Sequence, residues 1–168
     1  MTPVQLNNLL VEIKNNISAI NKTYAVVDDS QLVNYLQDLY SSDNQILLGV
    51  FPDFGFTGNV SGYRQTSVQM MMILEKADYS TLTYDEYIAL FERTYQTAEA
   101  IVQFLINKAE MGCSSLLEHI DVGGITIEPV WKKADCNGWS IILKHDEFIR
   151  PQKYQRRNYR TAFYYRHA

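Results

Sequence analysis

The sequence predicts an α+β protein, in which a mostly antiparallel sheet packs against one long helix and N-terminal helices and an extended C-terminal arm follows. Three observations predict it. Thr83-Tyr84-Asp85-Glu86 is a capping box that opens an unbroken helical stretch. Apolar runs joined by short turns lie on both sides of that stretch, which favours antiparallel pairing. The charge is also divided. Residues 1–149 hold nine basic and nineteen acidic residues, a net of −10, whereas 150–168 hold six basic residues and no acid. The expected division is therefore an α+β body at 1–149 and a basic, aromatic arm at 150–168. A chain of 168 residues has room for that and little more.

Thr2-Pro3 opens the first helix, because Thr caps well and Pro at the first helical position loses no useful N–H. Leu6, Leu9, Leu10, Ile13, Ile17 and Ile20 recur at helical spacing, so this helix is expected to end near Lys22-Thr23. Residues 24–27 read as a short extended link. Asp29 or Ser30 can cap a second helix carrying Leu32, Val33, Leu36, Leu39 and Tyr40. A turn cluster at 41–44 precedes Ile46-Leu47-Leu48-Gly49-Val50-Phe51, a strand stopped by Pro52. Residues 53–66, with Gly55, Gly58 and Gly62 beside Phe54, Phe56 and Tyr63, read as a mobile hairpin loop. In the strand at 67–76, Val68, Met70, Met72 and Leu74 share one face, and Met71 and Ile73 on the other suggest that both faces are at least partly covered.

The capped helix runs to about Met111, with Gly112 ending it, and is expected to show Tyr87, Ile88, Phe91, Tyr95, Ala98, Ile101, Val102, Leu105 and Ala109 on one face. After a Gly123-Gly124 break comes a strand at 125–131, which Pro129 restricts to an edge or a bulge. Asn137-Gly138 reads as the following turn. Trp139, Ile141 and Leu143 then alternate with Ser140, Ile142 and Lys144 in a closing strand.

Catalytic patterns are sparse. The three histidines form no H-x-x-H spacing, and His119, Asp121 and Glu128 would need the fold to bring them together before they could hold a metal. Half-exposed strand residues are the simpler reading. The glycines at 49–62 lack the lysine of a phosphate loop, and Val60-Ser61-Gly62 lacks the first glycine of a nucleophile elbow. Cys113 and His119 lie six residues apart across a helix end, so a packed thiol is the simpler account. Asp28-Asp29 and Asp85-Glu86 sit at helix starts, where the dipole favours negative charge without catalysis. Two loosely placed cysteines do not make a disulfide framework. Neither a signal peptide nor an apolar run long enough for a bilayer is expected. The reading is non-enzymatic: no catalytic residues, cofactor, metal, membrane or small-molecule substrate.

The arm points to a partner. Tyr154, Tyr159, Phe163, Tyr164 and Tyr165 are interleaved with Arg150, Lys153, Arg156, Arg157, Arg160 and Arg166. Ordering nineteen residues costs more conformational entropy than five buried aromatics return, so a second surface has to contribute. Tyr159, Thr161, Phe163 and Tyr165 share one side of an extended chain, a pattern that suits strand addition to another sheet. Arg156, Arg157 and Arg160 are the expected carboxylate partners and Tyr159, Phe163 and Tyr165 the pocket anchors, with Tyr164 and Arg166 also expected at the contact. Phe54 and Phe56 would form a second contact region. Arginines among aromatics also suit single-stranded nucleic acid, although a body of net charge −10 repels a polyanion. A protein receiver is favoured over nucleic acid, either an acidic neighbouring copy or an adjoining protein.

The order of elements resembles that of the small tail-terminator, tail-completion and neck (head–tail connector) proteins of tailed bacteriophages. The long capped helix, Ile125-Thr126-Ile127-Glu128-Pro129-Val130 and Asn137-Gly138-Trp139-Ser140-Ile141-Ile142-Leu143 carry the likeness. It implies a structural subunit that forms a homo-oligomeric ring at the head–tail junction or tail end. Such a subunit would contact adjacent virion proteins and sit in the virion, after assembly in the host cytoplasm. The 150–168 arm departs from the most compact members. A nucleic-acid-binding accessory protein is the alternative.

Overall fold

The computed structural model describes residues 2–27, 29–37, 44–59, 62–112 and 120–149. In chain order these form α1 (Pro3–Asn16), β1 (Ile20–Val26), α2 (Asp29–Gln37), β2 (Gln45–Val50), β3 (Asp53–Asn59), β4 (Gly62–Lys76), α3 (Tyr84–Glu110), β5 (Thr126–Lys133) and β6 (Cys136–Ile149). The architecture is α+β, with a mixed and mostly antiparallel six-stranded sheet. Its strand order is β1-β2-β4-β6-β5, and β3 pairs with β4 beside that path.

β4 organises the sheet because it is long enough to serve three partners. Along one side it pairs with β6 from Tyr63↔Ile149 to Lys76↔Cys136. On the other side it pairs with β2 over Met71 to Glu75 and with β3 over Gly62 to Val68. The Gln69 side chain fills the gap between these two ladders and donates from Nε2 to the carbonyl oxygens of Val50 and Met70. A carbonyl left without its strand partner is thereby satisfied. β1 and β2 are parallel, and the other pairings are antiparallel.

Side-chain alternation along β4 divides the core into two layers. Met71 and Ile73 face α1 and α3, where they meet Leu6, Leu10, Ile13, Ala98, Ile101 and Leu105. Met72 and Leu74 face the opposite way, with Val26, Leu36 and Cys136. Gly49 lets α1 lie close to β2. A Cβ there would meet Leu10 Cδ1 at 2.8 Å.

Both long helices carry complete capping boxes. Thr2 and Gln5 close α1, and Thr83 and Glu86 close α3. Thr94 and Thr97 are buried within α3, and each hydroxyl donates to the carbonyl four residues back. Gly112 follows the helix at φ +61°, the left-handed conformation that favours glycine at a helix end.

Several sequence expectations change at this level. The first helix ends at Asn16, and the apolar repeat continues into β1 through Ile20. Both elements bury the same face, so one apolar series spans a helix and a strand. Residues 53–59 and 62–66 are ladder-paired strands of a hairpin and not a loop. Asn137-Gly138 is not the last turn. Ala134 and Asp135 make it, at φ 48° and 60°, and Asn137 and Gly138 lie inside β6. Two positive φ values in a two-residue loop match the right-handed strand twist. Gly138 is required for another reason, because a Cβ there would sit 2.0 Å from the Ile73 carbonyl oxygen.

Candidate functional site

α3 crosses the sheet over β4 and β6, and its buried line is Leu90, Thr94, Thr97, Ala98, Ile101 and Leu105. The helix is thus rolled relative to the face expected from sequence. Ile88 is 48% exposed, and Phe91 and Tyr95 are half-buried against Trp139 of β6. α1 covers the opposite flank, where Lys108 of α3 forms an ion pair with Glu12 of α1. An open cleft of about 290 Å³ lies between α3 and β6, lined by Ile88, Phe91, Glu92, Tyr95 and Trp139. Pockets for whole small molecules span roughly 300–1,000 Å³, so this cleft is sized for one or two side chains.

Trp139 anchors the cleft. It projects from β6 toward α3, and its indole Nε1 donates to the Phe91 carbonyl at 2.9 Å. Its ring meets Phe91 edge-on at 5.9 Å and Tyr95 at 5.1 Å, both favourable arrangements of aromatic quadrupoles. The floor is therefore fixed before anything binds. The rim is acidic. Glu92 and Glu99 stand seven residues apart, two helical turns, on the same exposed flank. Gln96 donates to Glu92 at 3.0 Å, and the Tyr95 hydroxyl bonds Glu99. That bond and the Glu99 charge push the Tyr95 phenol upward from its ordinary value. Gln96 and Tyr95 are thus neutral partners of the two carboxylates.

A second surface lies farther along the same sheet face. Phe54 and Phe56 of β3 pair across the ladder with Ser67 and Gln65, so they share a face with Met71, Ile73 and Trp139. They remain 49% and 64% exposed. From the Gln65 register to the Ile73↔Trp139 register is eight residues along β4, or about 26 Å.

Phe54 and Phe56 therefore form an exposed aromatic pair on β3, apart from the cleft. Arg156, Arg157, Tyr159, Arg160, Phe163, Tyr164, Tyr165 and Arg166 lie outside the described residues. Sequence reasoning missed the cleft because it assigned Ile88, Phe91 and Tyr95 to the core side of α3. A usable signal was present in the acids at 85, 92 and 99, interleaved with apolar residues at 88 and 95. A stripe of that kind is a poor core face.

For the other candidates, Asp85 and Glu86 occupy the first turn of α3, with Glu86 in the capping box. Asp121 and Glu128 are exposed, and Cys113 and His119 lie outside the described residues. Among the described residues, no three His, Cys, Asp or Glu side chains converge on a metal position. None of the described helices is long and apolar enough to cross a membrane. Compared with known proteins, the chain matches no family model and no curated sequence.

Proposed function

We propose that this chain is a non-enzymatic structural subunit of a phage virion neck or tail end, one that forms a ring by side-by-side packing and arm docking. The observation that supports this reading is the pair of unlike surfaces on one sheet face. Phe54 and Phe56 project on a hairpin, and about 26 Å away an aromatic cleft opens beneath an acidic rim. Two different patches on one subunit suit head-to-tail contacts, and such contacts close into rings when the rotation allows. The resemblance in element order to tail-terminator and neck proteins supports the same reading. The arm at 150–168 would dock on a neighbouring copy or on an adjacent virion protein.

The test is the mass of the full-length chain in solution by light scattering, alone and mixed with the products of neighbouring genes. A discrete ring-sized mass is expected. A monomer at every concentration, binding none of those products, would overturn the reading.

The arm's arginines and tyrosines favour a second reading, a nucleic-acid-binding accessory protein. That reading requires DNA affinity that falls steeply with salt, and no retention on DNA at low salt would remove it.

A further inference from the structure

We propose that the cleft between α3 and β6 is the receptor for residues 150–168 of a second copy of this chain. The inference rests on the ring reading and names the contact that would hold neighbours together.

Charge is the first reason. The segment carries six basic residues and no acid, whereas Glu92 lines the cleft and Glu99 stands beside it, bonded to the Tyr95 hydroxyl. Opposite potentials of this kind select a partner and set its register. Side-chain shape is the second. The segment interleaves arginines with aromatics, and the cleft has the volume for one or two rings against a preset floor of Trp139, Phe91 and Tyr95. Aromatic anchors in such pockets, with charged neighbours at the rim, concentrate binding energy at interfaces.

The path of the chain favours a neighbour's cleft over the subunit's own. β6 passes Trp139 near its start and ends ten residues later at Ile149, about 33 Å along the strand. To enter its own cleft the segment would have to reverse and spend about ten of its nineteen residues on the return. Continuing onward, it reaches up to about 60 Å beyond Ile149 with every aromatic available for contact.

The test uses the full-length chain with a benzophenone photo-crosslinking amino acid at Tyr159, mixed with isotopically heavy full-length chain lacking it. The expected product joins the light 150–168 peptide to a heavy peptide from 88–99 or to the one containing Trp139. Reversing the rim with Glu92→Lys and Glu99→Lys in the heavy chain should reduce that product about tenfold. Arg156→Glu with Arg160→Glu in the light chain should restore it, and an unchanged melting curve shows that the heavy chain is folded. Links confined to light chains, or heavy links elsewhere, would overturn the proposed receptor. Loss of the link on adding a single-stranded oligonucleotide at low salt would also overturn it and assign the segment to nucleic acid. The mass measurement separates the two failures. A ring whose links lie elsewhere removes only this contact, and a persistent monomer removes the ring as well.

Discussion

Gly138 shows how one residue can be fixed by a neighbour distant in sequence. Its Cβ position is occupied by the Ile73 carbonyl oxygen at 2.0 Å, a backbone atom that cannot rotate away. Gly138→Ala should therefore separate β6 from β4 and cost on the order of 3 kcal/mol, measured by urea denaturation. Gly49→Ala should cost less, because the atoms it meets are flexible ends of Leu10 and Leu6. Next to Gly138, the Asn137 side chain accepts the Lys132 amide at 2.8 Å and bonds the Tyr79 hydroxyl. It thus ties the β5–β6 turn to the segment before α3. Burial pushes the Cys136 thiol up to about 11, from an ordinary value of 9.0. Few thiolates form at neutral pH, so the native Cys136 peptide should resist alkylation that modifies the denatured chain, as read by mass spectrometry. The unfolded thiol loses its proton first, so stability should fall as pH rises between those two values.

Among the elements, α3 is set by its own start. The Thr83 backbone amide and then its hydroxyl bond the Glu86 carboxylate, which holds that carboxyl below its ordinary value. Thr83→Ala should cost about 1 kcal/mol at neutral pH, by urea denaturation. The folded pKa is depressed, so this part of the stability exists above the unfolded carboxyl's titration and disappears as pH falls through the folded value. The difference between wild type and Thr83→Ala should accordingly shrink under acid. The β3–β4 hairpin makes a different case. Phe54 and Phe56 are largely exposed, so Phe54→Ser with Phe56→Ser should change stability by no more than about 0.5 kcal/mol per site. On the ring reading, the same pair should lower the assembled mass. Loss of folding would instead place these rings in the core.

At the scale of the whole molecule, the division at 149/150 leads to a direct experiment. The described sheet and its helices are self-consistent through Ile149, the last residue of β6. Removing 150–168 should leave a cooperative thermal transition by circular dichroism and abolish the ring-sized mass. A truncated chain without that transition would show that the arm belongs to the core.

Local chemistry made much of the fold legible. The Thr83 box, the Pro3 start and the Met71/Met72 alternation each depend on residues a few positions apart, so the sequence alone determines α1, α3 and the two-faced character of β4. Three other features depend on partners distant in the chain. Ile20 left the helical series because β1 pairs with β2, and residues 53–59 and 62–66 became strands because β4 continues past β2. Gly138 is a glycine because of Ile73. The cleft belongs with these. Whether Ile88 and Tyr95 are core or surface depends on the roll of α3 over β4 and β6, and helical periodicity supplies the stripe without saying which flank the sheet will cover.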